Sequence, residues 1–513
     1  MLTGLGRVRI RDIADPAPIS DTKARAIVWR IIAFALVFKL ILTFTLPLGI
    51  DEAYAIAVAR DYSLSFFDHP PIGFWAPAAM ADITGMETLL VYRLPFLLAG
   101  VLTTGLMYLI GREIGDTRTG LWSALLFAIG PFFVVSNGFL AVPDGMLNLG
   151  LALAVLFLVK AVNSESRAPV IYWVWIGLGL AFALASKYQA AWLPVAVLIF
   201  MALTPKGRRW FVQPGPWIGA AIGLLGLLPV ILWNMQNNWT SFEFHTSRAG
   251  DGFSPANLAR MILTQAIFLL PTGLWAAVVG MWMAIRHRKT DDKFLLALIA
   301  LGPILIFNYV YFTSTSSHAH WTMPGWIFAL PLAAAWLAGR SKKALLRHLR
   351  WSVVSMLVIW VPLVTLLIHS NTGFLTRPFY DHAPDWDYTF SIFSYHDLRE
   401  GLDERGLFAP TDVFMARSWT QGGLFDTALS GEKPMRIFSL GGAHHFVFLE
   451  DAKATGSAIY IEATTFKDAV IVDARVLAEA QSLDPDAELL EPIILTRGGA
   501  PYVHVTLVRL RLE

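Results

Sequence analysis

The stretch Gly49-Ile50-Asp51-Glu52-Ala53-Tyr54, with Asp68-His69-Pro70-Pro71 close behind it, decides how the rest of the chain is read. Two acids follow directly on a long apolar run. Asp51 to Arg60 has helical spacing, with its acids where a helix N-terminus favours them. Consecutive prolines remove two backbone donors and force His69 into an extended geometry. Ile72 to Ala81 is apolar but too short to cross a bilayer, so it reads as re-entrant or interfacial. A charged pair at a membrane border, held by two rigid corners, reads as a site rather than a linker.

Composition places that border in a membrane protein. The 513 residues are 56% hydrophobic and 15% charged, and the mean hydropathy is +0.55, outside the range of an ordinary soluble globule. A net charge of +2 gives no case for nucleic-acid binding. The chain has no cysteine, which excludes disulfides, thiolate metal sites and thiol nucleophiles. The basic, proline-containing leader Met1 to Lys23 is not expected to be a cleavable signal peptide.

About eleven apolar segments have membrane-span character: 27–48, 88–110, 119–136, 143–161, 171–186, 190–204, 216–233, 258–284, 294–312, 321–338 and 351–369. Between 171–186 and 190–204 lie only Lys187, Tyr188 and Gln189, and Lys187 with Pro194 argues for a break there. Basic residues test the count. With a cytoplasmic N-terminus, the inner segments hold Arg7, Arg9, Arg11, Lys23, Arg25, Arg30, Arg112, Arg118, Lys160, Arg167 and Lys206. They go on to Arg208, Arg209, Arg286, Arg288, Lys289, Lys293, Arg340, Lys342, Lys343, Arg347 and Arg350. The outer loops hold only Arg60, Lys187 and Arg248. The acidic loop, Asn137 to Asp144, Lys187 to Gln189, Asn234 to Asn257, Ser314 to Trp321 and everything beyond His369 then share the outer side.

The expected architecture is a polytopic α-helical membrane domain over 1–370, with an outer loop at 49–87, and a small extracytoplasmic α/β domain over 371–513. Short β-like runs at 412–415, 436–438, 458–461 and 502–507, with a helical candidate from Phe466 to Ala480, give the second domain a mixed or antiparallel sheet.

Each polar residue at a border has a plain reading beside the functional one. Asp51 can cap its helix, but a cap explains one acid and not a pair; ionisable groups at such borders are costly and usually functional. Asp144, after Pro143, is equally an N-cap or a second site acid. Lys187 can snorkel to headgroups or meet an anionic phosphate. His69 alone reads as a turn residue. His318-Ala319-His320-Trp321 is weak as a metal motif, because i, i+2 histidines lack a nearby third ligand, and reads better as an interfacial loop anchored by Trp321. Asn234 to Trp239, with Phe242 and Phe244, reads as sugar- or lipid-facing surface, or simply as interfacial belt.

Together these residues carry a resemblance. Asp51-Glu52-Ala53-Tyr54, Asp68-His69-Pro70-Pro71, Pro143-Asp144-Gly145, Ala185-Ser186-Lys187-Tyr188 and Trp239-Thr240-Ser241-Phe242 resemble the bacterial family-39-type glycosyltransferases, relatives of protein O-mannosyltransferases and lipid A aminoarabinose transferases. The resemblance covers about residues 27 to 330 and implies a GT-C fold. It implies a polyprenyl-phosphate sugar donor and an envelope acceptor hydroxyl on lipid A or core oligosaccharide, another glycan or a protein. It also implies a multi-pass place in a bacterial inner membrane with a periplasmic C-terminal domain. By it Asp51 would be the general base, with Glu52 and Asp144 as further active-site acids and Lys187, His69, Tyr188 and Tyr54 at the donor. No metal is expected, and no Asp-x-Asp motif accompanies these loops. Ala55 departs from the pattern, standing where many relatives have a second tyrosine, which bears on the donor head. The alternative from another class is a polytopic transporter or lipid-linked-sugar flippase, whose ionisable groups should lie near mid-membrane.

Overall fold

The computed structural model describes residues 19–246, 255–287, 290–313, 318–380, 384, 387, 389 and 392–513. Arg7, Arg9, Arg11, Arg248, Arg288 and Lys289, which entered the charge count above, lie outside the described residues.

The chain is mainly helical, and among the described residues seven helices are long and apolar enough to cross a membrane. They run Asp21–Thr45, Leu89–Ile114, Pro143–Asn163, Pro214–Gln236, Asp291–Thr313, Ala319–Ala338 and Lys342–Thr372. The count reaches eight if the bent pair Ala256–Leu269 and Pro271–Arg286 is one span. The expected count of about eleven is therefore not reproduced, although each expected segment is helical. Val170–Leu184 has 15 residues, or about 23 Å of helix, short of a hydrocarbon core of about 30 Å. The 119–136 run is broken into Thr117–Ile129 and Pro131–Val135 at Gly130.

The 258–284 segment, expected as one span, bends by 99°. Pro271 has no N–H to continue the ladder, and the preceding Leu270 takes φ 63°, ψ 140°, outside the helical region. The break near Lys187 falls where its charge places it. Val170–Leu184 ends, Lys187 is extended, and a 3₁₀ turn at Tyr188–Ala191 leads into Trp192–Leu203.

Two compact units emerge. The first comprises the described residues within 1–41, 69–73 and 94–361; the second comprises those within 42–68, 74–93 and 362–513. The first is built round large buried side chains such as Trp122, Phe127, Phe133, Phe200 and Phe328.

The second contains a six-stranded mixed sheet: β1 Val413–Ala416, β2 Met435–Ile437, β3 Gly456–Thr464, β4 Glu488–Leu489, β5 Ile493–Arg497 and β6 Ala500–Leu512. The order is β2-β1-β3-β6-β4, and β5 also pairs with β6. β1 is parallel to β2 and β3, whereas β6 is antiparallel to β3, β4 and β5. Alternating side chains give the sheet two apolar faces. Val413, Met415 and Tyr460 pack with Val472 and Val476 of helix Ala469–Gln481. Phe414, Ile459, Ile461 and Val505 join a core containing Ala53, Tyr54 and Val58 of helix Ile50–Ala59. Gly423, in helix Trp419–Ala428, lets the two helices touch backbone to backbone: a Cβ there would lie 2.6 Å from the Tyr54 nitrogen.

Candidate active site

In the second unit, Gly49 precedes helix Ile50–Ala59 and leaves Asp51 and Glu52 in its first turn. The adjacent acids have opposite surroundings. Glu52 is 1% exposed and faces Arg93, itself 0% exposed. Arg93 Nε donates to Glu52 Oε1 at 2.9 Å and Nη2 to Oε2 at 2.7 Å. The same guanidinium donates to the carbonyls of Thr43, Leu46 and Pro47. Glu52 Oε2 also accepts the Gly49 N–H at 3.0 Å, closing the helix start. Glu52 is thus the anchor of a turn, fixed on every side. Asp51, one residue earlier, is exposed. Its place in the first turn sets the carboxylate at a helix N-terminus, which favours negative charge.

Tyr54, expected at the donor, is buried. Its hydroxyl donates to Asp68 Oδ1 at 3.1 Å and accepts the His445 N–H at 3.1 Å. Burial and the Asp68 charge hold the phenol well above its ordinary pKa. His444 Nδ1 stands 3.7 Å from Asp68 Oδ2, with its ring stacked on Trp419 at 4.6 Å between centroids. His444 has φ 50°, a left-handed backbone for a non-glycine residue, and such strain persists where surrounding contacts hold it. His445 Nδ1 accepts the Phe67 N–H at 3.1 Å, and burial lowers its pKa to about 4. Asp68, Trp419, His444 and His445 are site neighbours that the sequence reading did not single out. Only the position of Asp68 in its motif offered a signal, since the other three join through contacts more than 350 residues long.

In the first unit, three sequence motifs meet. The Ile72 N–H donates to the Ala185 carbonyl at 2.9 Å, tying the His-Pro-Pro corner to the segment before Lys187. Gly73 lies flat against Pro143, where an added Cβ would meet Pro143 backbone and ring atoms at 2.8 to 2.9 Å. That closeness sets His69 to Gly73 beside both Asp144 and Lys187. Lys187 Nζ donates to Asp144 Oδ2 at 2.9 Å with both side chains buried. Asp144 Oδ1 has no hydrogen-bond partner among the described residues. His69 and His320 contribute to the electrostatic surroundings of the Asp144 carboxylate.

Tyr188 continues the same edge. Its ring meets His245 edge-on at 5.0 Å and lies 6.2 Å from Phe242, both on helix Thr240–Thr246. The fifth motif, Trp239 to Phe242, therefore packs beside the fourth. His318 and His320 stack on each other at 5.5 Å, and no group of three or more His, Asp or Glu side chains among the described residues is placed to hold a metal ion. Of the expected site residues, then, His69, Asp144, Lys187 and Tyr188 are gathered in the first unit, and Asp51, Glu52 and Tyr54 share one helix of the second.

Comparison with known proteins bears on this geometry. Residues 68–233 match the family described as dolichyl-phosphate-mannose-protein mannosyltransferase. The chain is 23% identical over 326 residues to the lipid A galacturonosyltransferase RgtD of Rhizobium johnstonii, covering 62% of this chain and 66% of the relative. It is 27% identical over 187 residues to the undecaprenyl phosphate-alpha-4-amino-4-deoxy-L-arabinose arabinosyl transferase of Pseudomonas savastanoi, covering 36% of this chain and 34% of that one. The matches thus span just under two thirds and about a third of these relatives. The crystal structure of ArnT from Cupriavidus metallidurans bound to undecaprenyl phosphate superposes with a TM-score of 0.65 at 15% identity, covering 94% of this chain and 97% of that one. The chain is thus similar in sequence to sugar transferases over part of its length, and it shares the overall fold of ArnT.

Proposed function

We propose that this protein transfers a sugar from a polyprenyl-phosphate donor to a hydroxyl of an envelope acceptor at the outer face of a bacterial inner membrane. The observation that supports the reading is the split between Asp51 and Glu52: Asp51 is exposed in the first helical turn, while its neighbour is buried against Arg93 and the helix start. In this reading Asp51 takes the acceptor proton as the acceptor oxygen attacks the anomeric carbon. The bond from that carbon to the phosphate oxygen breaks, its electron pair leaves with the lipid phosphate, and a single displacement inverts the anomeric configuration.

Lys187 balances the charge gathering on the phosphate and needs no metal ion to do so. Asp144 holds Lys187 with one oxygen and offers the other to a donor hydroxyl. His69 and Tyr188 wall the donor. Glu52 and Tyr54 act at one remove, Glu52 by fixing the turn that presents Asp51 and Tyr54 by holding Asp68.

The proposal includes a cytoplasmic N-terminus, supported by the asymmetry of basic residues, and a division into a membrane domain over 1–370 and a periplasmic domain over 371–513. Acceptor candidates are lipid A or core oligosaccharide, another glycan and protein; the name of the first relative favours lipid A. The transporter reading has no comparable support, since the similar proteins are named as transferases. The test is release of polyprenyl phosphate by purified protein given a panel of polyprenyl-phosphate sugars and envelope extract. Acceptor-dependent release with one donor supports the reading; no release with any donor, from folded protein, overturns it.

A further inference from the structure

We infer that the first unit carries a binding groove for an anionic glycerophospholipid, an inference independent of whether the chain transfers sugar. A cavity of about 920 Å³ opens between helices Asp21–Thr45, Leu89–Ile114, Pro143–Asn163 and Val170–Leu184. Its walls are mainly apolar, with Trp29, Leu153 and Phe182 among them, and they carry two guanidinium groups, Arg25 and Arg112. Arg25 lies in the first turns of its helix and Arg112 in the last turn of the other, and both helices continue along the groove from there. From Arg112 back to Val101 the lining runs eleven residues, about 16 Å of helix, close to half of a hydrocarbon core of about 30 Å. The groove is therefore one leaflet deep, with its positive charge where a phosphate headgroup would sit.

Three further features fit that occupant. Both arginines are exposed, and no carboxylate among the described residues pairs with either. Arg112 lies over the Tyr108 ring at 5.7 Å, which aims the guanidinium without neutralising it. Gly105 lines the groove, and a Cβ built there meets nothing within 4 Å, so this wall is open rather than closed by a packed neighbour. An acyl chain along the wall with a phosphate at the arginine end satisfies both halves of the groove, as basic pockets between membrane helices do for anionic headgroups.

The test is native mass spectrometry of the full chain released from nanodiscs of equal phosphatidylglycerol and phosphatidylcholine. Wild type should retain several-fold more phosphatidylglycerol. Arg25→Gln with Arg112→Gln should lower that retention on the order of tenfold while leaving phosphatidylcholine unchanged. Gly105→Leu, which fills open space and removes a helix-destabilising glycine, should lower retention of both lipids without loss of folded protein. Arg347→Gln, an exposed cation outside the groove, should change nothing. Undiminished phosphatidylglycerol retention in the double variant or in Gly105→Leu overturns the inference. So does displacement of phosphatidylglycerol by equimolar undecaprenyl phosphate, which would give the groove to an isoprenoid lipid.

Discussion

Replacing Glu52 and replacing Asp51 should produce opposite phenotypes, although the residues are adjacent and chemically alike. Glu52→Ala removes both carboxylate bonds to Arg93 and the bond from the Gly49 N–H, and leaves a fully buried guanidinium without its counter-charge. Breaking a buried pair in this way costs about 3–5 kcal/mol. Asp51→Asn removes an exposed first-turn charge, and the lost helix-dipole interaction is about 0.3–1 kcal/mol. Substituting Arg93→Met as well as Glu52→Ala does not restore stability, because the carbonyls of Thr43, Leu46 and Pro47 lose their donor, each at about 1–3 kcal/mol where it stays buried.

The assay is unfolding followed by tryptophan fluorescence in one detergent at one scan rate, so that kinetic losses are comparable. Asp51→Asn should unfold with wild type yet fail to turn over donor. Glu52→Ala should unfold several degrees earlier and lose activity as folded protein is lost. A Glu52→Ala variant as stable as wild type would refute the assignment of Glu52 as anchor, and with it the split between the two acids.

Other outcomes follow from the same structure. Gly73→Ala pushes a methyl into Pro143, at about 1–3 kcal/mol for an overpacked contact, and should reduce turnover by disturbing the seat of His69, Asp144 and Lys187, read as a raised donor KM. Lys187→Met should lower kcat by about 10² to 10³, with Lys187→Arg partly active, if the ammonium stabilises the leaving phosphate; activity equal to wild type in Lys187→Met would remove it from that role. His445, whose pKa is lowered to about 4, is neutral when folded, so its contribution is complete above about pH 6.5 and is lost as pH falls towards 4. Relative to His445→Gln, wild type should lose up to about 3 kcal/mol between pH 7 and 4. A stability difference between the two that does not change with pH counts against a buried neutral His445.

The sequence was most legible where chemistry and backbone agree. The acids after the first apolar run, the His-Pro-Pro corner and the charge at Lys187 all sit at breaks that the structure contains, because proline and a lone cation in apolar surroundings constrain the chain locally. Arg93 was hidden inside an apolar run read only as span 88–110, yet it is the partner that fixes Glu52. Lys39 was hidden the same way, inside helix Asp21–Thr45 at 2% exposure. Trp419, His444 and His445 carry no local signal, since their relation to Tyr54 and Asp68 exists only once the chain has folded. β5 was missed because Ile493-Ile494-Leu495 does not alternate in polarity, although its burial does. The count of about eleven spans is not confirmed, and hydropathy alone does not register the bend at Leu270-Pro271 or the shortness of Val170–Leu184.

The most direct measurement is release of polyprenyl phosphate by purified wild type and Asp51→Asn, side by side, with one competent donor and acceptor. If Asp51 is the base, release is acceptor-dependent in wild type and falls to background in a variant that unfolds and binds lipid like wild type. Equal release by the two proteins would contradict that role for Asp51 and leave the proton to another group.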